Sequence, residues 1–266
     1  MKITSYHVDA FADKIFSGNP AMVCIMEEEV SDSLLQQIAA ENNLPVTAFL
    51  WKNNQKYQIR WFGPEYEIDL CGHGSLATGF VIFNFIEPQL KEINLHYSSD
   101  VLKIKKDNGF LSLDFPIKNI EPIAIPEFIS QGLGQKPLEF YQYKQERYLA
   151  VYHSEEDIRQ LNPSMDILKK MELRGIIVTA PSTRYDFVSR VFYPKKALSE
   201  DQVTGASFCL LAPYWKSKLN KNELRAYQLS KRGGLVNCYV KEDCITIQGK
   251  ARLYSKGLIE LLDNAS

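Results

Sequence analysis

Histidine is scarce in this chain, with four in 266 residues, and the five cysteines (Cys24, Cys71, Cys209, Cys238, Cys244) are odd in number, scattered and without a CxxC pair. Neither a zinc site nor a disulfide framework is indicated. No apolar run approaches the roughly 20 residues that span a bilayer, and Met1 to Tyr6 enters strand-like alternation with no signal-peptide core. A cytoplasmic protein without a membrane partner is expected. An excess of charge of one sign is also lacking: 31 basic residues face 32 acidic ones, for a net charge of -1. Nucleic acid therefore has no electrostatic case, and a small molecule is the default partner.

What the sequence does have is a repeat. Arg60-Trp61-Phe62-Gly63-Pro64 leads through a short polar stretch to Cys71-Gly72-His73-Gly74-Ser75 and an apolar run. Arg190-Val191-Phe192-Tyr193-Pro194 leads through Glu200-Asp201-Gln202-Val203-Thr204-Gly205 to the run Ala206 to Trp215. Each copy reads as a strand, a proline break and a small-residue loop that opens a helix. Two such loops facing each other would set Cys71 or His73 opposite Asp201 across a shared cleft.

Around the repeat the hydrophobic periodicity predicts strands at Tyr6 to Phe11, Ala21 to Met26, Thr47 to Trp51 and Tyr57 to Phe62. Ser31-Asp32 caps a helix that ends near Asn42-Asn43. A meander follows over Leu90 to His96, Val101 to Lys105 and Phe110 to Phe115, and the prolines of Pro116 to Gly132 read as a linker. The second half repeats the pattern, with strands at Arg147 to Tyr152, Gly175 to Ala180, Tyr185 to Phe192, Leu224 to Leu229, Leu235 to Val240 and Cys244 to Gln248, then Ala251 to Leu262. Helical stretches start at Ser154 and Pro163. The expected fold is α+β in two pseudo-symmetric lobes, 1–116 and 117–266, with the last strand or helix free to pack back on the first lobe.

Helix starts at Gly72-His73-Gly74-Ser75 and Thr204-Gly205-Ala206-Ser207 would offer backbone N–H groups and the positive end of a helix dipole to a carboxylate or an enolate. They also read as simple tight turns. His73 is a candidate proton shuttle, and Asp201 a base or, alternatively, an N-cap. Cys71 is a candidate acid/base thiol or, alternatively, packing; the other four cysteines read as small buried hydrophobes. The double-glycine turn at Ser230 to Gly234 reads as a hairpin with solvated charges.

These residues resemble the PhzF-like isomerases of the phenazine biosynthesis family, whose fold is related to diaminopimelate epimerase. The resemblance runs through Val8-Asp9-Ala10-Phe11, Ser17-Gly18-Asn19-Pro20, Asn43-Leu44, Thr47-Ala48-Phe49, Arg60-Trp61-Phe62 and Leu70-Cys71-Gly72-His73. It continues at Glu200-Asp201, Val203-Thr204-Gly205, Ala212-Pro213-Tyr214-Trp215 and Arg232-Gly233-Gly234. It implies lobes that are each a barrel-like, mostly antiparallel sheet around a central helix, with the active site between them. It also implies a proton shift on a small carboxylate-bearing substrate without metal or other cofactor, and a homodimer. His73, Asp201 and Cys71 are then the candidate catalytic residues. Asn19, Val46, Gly72, Gly74, Ser75, Thr204, Gly205 and Ala206 are the candidate substrate contacts.

Several residues depart from that resemblance. Val46 stands where the family commonly has the glutamate that moves the proton, Ala206 replaces a serine, Phe208 a histidine, Gln202 a proline and Gly74 an alanine. Two readings follow. In one, Cys71 and Asp201 carry the proton shift with His73 orienting the substrate; in the other, the chain binds a small anion without turnover.

Overall fold

Alternation of period two governs most of the described chain, which covers residues 1–196 and 198–261 of a computed structural model. It opens with β1 (Lys2–Ala10) and β2 (Asn19–Ile25), an antiparallel pair. α1 (Asp32–Asn42) starts where the Ser31 hydroxyl accepts the Leu34 amide, buries Leu35, Ile38 and Ala39, and stops at Asn43, whose φ of 47° is left-handed. β3 (Thr47–Asn53), β4 (Lys56–Phe62) and the two-residue β5 (Glu67–Ile68) follow. α2 (Gly72–Val81) runs on into a π turn over Ile82–Ile86. The meander is β6 (Glu92–Tyr97), β7 (Asp100–Asp107) and β8 (Phe110–Pro116).

The next segment corrects one expectation. Instead of a linker, 116–132 contains β9 (Glu121–Pro122) and most of α3 (Glu127–Leu133), and Ile129 and Leu133 are completely buried in a core with Phe140, Ile158 and Leu168. Pro126 occupies the N-cap of α3, where a missing N–H does no harm, so its presence marks a helix start rather than a spacer. Then come β10 (Glu139–Tyr143), absent from the sequence-based expectation, β11 (Arg147–Val151), α4 (Glu155–Gln160), α5 (Met165–Leu168), β12 (Gly175–Pro181) and β13 (Phe187–Phe192). The two-residue β14 (Glu200–Asp201) and a 3-10 turn at Gly205–Ser207 precede α6 (Phe208–Leu219). β15 (Glu223–Gln228), β16 (Gly234–Val240), β17 (Cys244–Gly249) and β18 (Ala251–Glu260) close the described chain; Leu262, the expected end of the last element, lies outside the described residues. No helix among the described residues is long and apolar enough to cross a membrane.

The chain divides into two compact units, Met1–Asp114 with the chain from Gln248 onward, and Phe115–Ile247. β18 belongs to the first, where it pairs antiparallel with β1 along its length. The two units share one topology. In the first, β18, β1 and β2 are antiparallel neighbours, β2 and β3 run parallel across α1, β3 and β4 are antiparallel, and β4 and β6 run parallel across β5 and α2. In the second, β9, β10 and β11 are antiparallel neighbours, β11 and β12 run parallel across α4 and α5, β12 and β13 are antiparallel, and β13 and β15 run parallel across β14 and α6. Parallel neighbours require a crossover, and in both units the second crossover carries the long apolar helix. α2 packs on β18, β1, β2, β3 and β7, which means the first sheet curls around it. α6 touches strands from opposite ends of the second sheet: the Tyr214 hydroxyl donates to Glu139 on β10, the Trp215 indole stacks on Phe187 of β13, and α6 packs on β16.

The repeat extends to side chains. In the first unit Phe62 pairs with Glu67, and Arg60 grips Glu67 from Nε at 2.7 Å and from a terminal nitrogen at 2.6 Å. In the second Phe192 pairs with Glu200, and Arg190 grips Glu200 in the same way at 2.8 and 3.1 Å. Each guanidinium also lies over the phenylalanine two residues on, at 5.1 and 4.9 Å. The surroundings differ. Arg190 donates in addition to the carbonyls of Ile158 and Leu161, and Glu200 is 24% exposed, whereas Glu67 is 43% exposed. Arg190→Ala should therefore destabilise by about 2–4 kcal/mol, through unpaired groups left behind, and Arg60→Ala by about 1 kcal/mol or less. Urea denaturation of the two variants checks this, and equal losses would contradict it.

Candidate functional site

In the first unit the grip of Arg60 on β5 sets where the chain turns into α2. Cys71 holds the N-cap position in extended backbone (φ -126°, ψ 104°), and its side chain does not cap the helix. Its sulfur instead approaches His73, with Sγ 3.4 Å from Nδ1 and 4.0 Å from Nε2. Both residues are buried. The Cys71 carbonyl accepts the Ser75 amide at 2.9 Å and the Ser75 hydroxyl at 2.7 Å, so that hydroxyl closes the first helical turn. The Thr78 hydroxyl donates likewise to the Gly74 carbonyl.

Gly74 explains how these side chains come together. A Cβ at that position would lie 2.9 Å from Trp61 Cδ1, 3.2 Å from Val46 Cγ1 and 3.3 Å from Cys71 Sγ. Only glycine lets the indole, the valine and the thiol close on one point at the start of the helix. Val46, wholly buried, is fixed by its carbonyl, which accepts the Met22 amide at 3.0 Å as β2 and β3 come together. Asn19 begins β2, fully buried and opposite Ala10. The turn before it depends on Gly18, at φ 70°, where a Cβ would meet the Ala10 carbonyl oxygen at 2.1 Å.

In the second unit β14 carries Asp201 opposite Val191. Asp201 is therefore a strand residue and not an N-cap, a place held by Thr204 for the 3-10 turn at Gly205–Ser207 and by Ser207 for α6. Its carboxylate accepts the Thr204 hydroxyl at 2.6 Å. The helix itself begins later than the small-residue loop suggests, because Gly205, Ala206 and Ser207 form a 3-10 turn before Phe208; Ser207 donates its hydroxyl and its amide to the Thr204 carbonyl. Ala206 is half-buried, and Gly205 is buried.

Sequence reasoning missed Gln228. Fully buried at the end of β15, it accepts the Thr204 amide at 2.9 Å and donates to the Asp201 carbonyl at 2.8 Å, bridging the two residues of the loop. The signal was available: alternation along β15 puts Gln228 on the same inward face as Leu224 and Ala226, where an amide side chain must have polar partners. Gln202, the residue in place of a proline, accepts the Arg232 amide at 3.1 Å, and its carbonyl accepts the Ser230 hydroxyl at 2.6 Å. The Ser230 to Gly234 turn is thus a hairpin, as expected, with Lys231 exposed and its backbone tied to the Asp201 loop.

Thus Val46, Cys71, His73 and Gly74 meet in the first unit, and Asp201, Thr204, Gly205 and Ala206 form one loop in the second. The other cysteines differ chemically from Cys71 in their surroundings. Burial pushes the Cys24 thiol up to about 12 and that of Cys209 to about 11, and raises Cys238 well above the usual thiol range. These three are buried packing, while Cys244 is half-buried. No cluster of three or more metal-ligating side chains occurs among the described residues.

Replacing Gln228 by alanine strands the Thr204 amide and the Asp201 carbonyl. A loss of about 2–4 kcal/mol in folding stability is expected in chemical denaturation, at about 1–3 kcal/mol per buried unpaired group. A change below about 0.5 kcal/mol would show that the loop holds its shape without the bridge.

A sequence model of the phenazine biosynthesis-like proteins matches residues 8–257. An uncharacterized isomerase of Pseudomonas aeruginosa is 41% identical over 261 residues, covering 98% of this chain and 100% of its own. The crystal structure of a PhzF family phenazine biosynthesis protein from Enterococcus faecalis superposes with a TM-score of 0.94 at 42% identity, covering 98% of this chain and 100% of that one. A hydroxyproline epimerase from Agrobacterium vitis shares the fold alone, with a TM-score of 0.65 at 10% identity over 99% of this chain and 94% of its own. With matching sequence over almost its full length and the same two-unit α+β architecture, this chain belongs to the PhzC/PhzF phenazine biosynthesis-like family.

Proposed function

We propose that this protein catalyses a cofactor-independent proton shift, an isomerisation or epimerisation, on a small carboxylate-bearing metabolite held in a cleft between its two units. In this reading it works as a cytoplasmic homodimer. Cys71 and Asp201 are the proton-transferring pair, with His73 orienting the substrate. Asn19, Gly72, Gly74, Ser75, Thr204, Gly205 and Ala206 line the ligand, and Val46 bounds it. The observation that carries the proposal is the 3.4 Å approach of Cys71 Sγ to His73 Nδ1 at the start of α2. A thiol there has a partner for its proton, and the first-turn amides of a helix favour negative charge beside it.

In the reaction, one group of the pair takes the proton from the carbon next to the carboxylate. The charge left behind spreads onto oxygen, where helix N-terminal amides stabilise it. The opposite group returns a proton to a different carbon or to the other face, so the pair ends with its protons exchanged. Asp201 suits the role of acceptor and donor because its carboxylate is anchored at a defined distance by Thr204 while remaining half-buried.

A second reading is supported by Val46. Its wholly buried isopropyl group cannot move a proton, which favours a protein that binds a small carboxylate without turnover. Proton exchange separates the two. Incubating the protein in D2O with a panel of small carboxylates and following C–H loss by NMR should show incorporation in the wild type. Cys71→Ala and Asp201→Asn should each reduce it by about 100-fold or more. Exchange at wild-type rate in both variants removes the assigned pair. Thermal stabilisation by a carboxylate with no exchange selects the binding reading.

A further inference from the structure

We infer that the indole N–H of Trp61 is a ligand donor, aimed at an anionic oxygen of the substrate at the start of α2. The inference deepens the carboxylate-binding reading and rests on it.

Trp61 is 1% exposed, and its Nε1 has no acceptor among the described residues. Buried donors nearly always find one. The Trp215 indole in the second unit does so, donating to the Thr179 hydroxyl at 3.0 Å. Trp61 differs because of what surrounds it. Its Cδ1 lies 2.9 Å from the point where a Gly74 Cβ would sit, and Nε1 is bonded to Cδ1, so the N–H lies next to the helix start. The same point is 3.2 Å from Val46 Cγ1 and 3.3 Å from Cys71 Sγ. Glycine has no side chain, valine has no polar atom, and the thiol approaches His73. The ring is held in this orientation by an edge-to-face contact with Tyr97, centroids 5.2 Å apart.

A buried N–H without an acceptor, beside the first-turn amides of a ten-residue helix, is satisfied by an oxygen that carries negative charge. A substrate carboxylate, or the enolate oxygen formed during a proton shift, has that chemistry. The N–H donates a hydrogen bond and keeps its proton. Trp61, part of the repeat and of the family motif, is then a ligand-binding residue outside the candidate substrate contacts drawn from either.

The test follows the indole resonance directly. In protein carrying 15N-labelled tryptophan, the Trp61 signal, assigned by its absence in Trp61→Phe, should move downfield on titration with acetate, malonate or benzoate and stay in place with benzamide. Trp61→Phe should bind the active carboxylate about 10-fold or more weakly, as expected for loss of a hydrogen bond to a charged group. A second variant reads the geometry without any ligand. Val46→Glu brings a carboxylate to the same point and should shift the Trp61 signal by itself.

If carboxylates bind Trp61→Phe as tightly as wild type, or if benzamide shifts the signal equally, the indole assignment is overturned and the carboxylate reading stands. If none of the three carboxylates binds the wild type at millimolar concentration, the carboxylate reading falls and the inference with it. A Trp61 signal that Val46→Glu leaves unmoved overturns the placement of the N–H whatever the ligand results are.

Discussion

The grip of a guanidinium on a glutamate is the constraint from which both candidate loops take their position. Arg60 and Arg190 project from the penultimate stretch of a strand, and each holds a glutamate on a segment only two residues long. A two-residue strand has too few ladder bonds to hold itself in place. Two parallel hydrogen bonds from a planar fork fix it in distance and direction, so the residues that follow are delivered to the helix start without tying up their own side chains. Cys71, His73 and Thr204 can face other partners because something upstream already sets the turn. The same residues would make poor caps, and neither Cys71 ahead of α2 nor Thr204 ahead of the Gly205–Ser207 turn caps with its side chain.

The two loops are nevertheless built from different materials. In the first, close approach dominates: Gly74 admits an indole, an isopropyl group and a thiol to one point, and polar chemistry comes from the thiol, the imidazole and the indole N–H. In the second, hydrogen bonds dominate, with Gln228 stitching Thr204 to Asp201 and Gln202 stitching the Ser230 hairpin to the same loop. One half is shaped by packing and tolerates a change of volume badly; the other is shaped by directional bonds and tolerates a lost partner badly. A shared topology does not impose a shared way of being rigid.

Elements whose causes are local were legible in the chain. Ser31 ahead of an apolar helical face, Asn43 after it, and the alternation of most of the longer strands correspond to observed features within a residue or two, while β1 starts at Lys2, four residues before the expected Tyr6. β5 and β14 were not legible, because they exist through an arginine on a neighbouring strand and not through any period of their own. Composition misled at 116–132, where an exposed proline ends a short strand, a half-buried one caps a helix, and Ile129 and Leu133 of that helix are packed in a core. Asp201 looked like a cap for the same reason, since an acidic residue before a small-residue loop has the composition of a helix start. Trp61 and Gln228 hid in plain sight. Each occupies an apolar slot of an alternating strand, and only coordinates reveal which polar atom such a residue brings inside.

The return of β18 to β1 has a consequence for how the chain is made. The first unit is assembled from two segments far apart in the sequence, so its sheet lacks a full strand until Ala251–Glu260 has been translated, whereas Phe115–Ile247 is contiguous and can close earlier. Pairing Lys2 with Glu260 is about as non-local as contacts in this chain can be, and such contacts form late because loop closure precedes their reward. Until then β1 presents one edge, and Val8 and Ala10 await cover. The order of synthesis thus runs opposite to the order of completion: the half that is translated first is the half that finishes last.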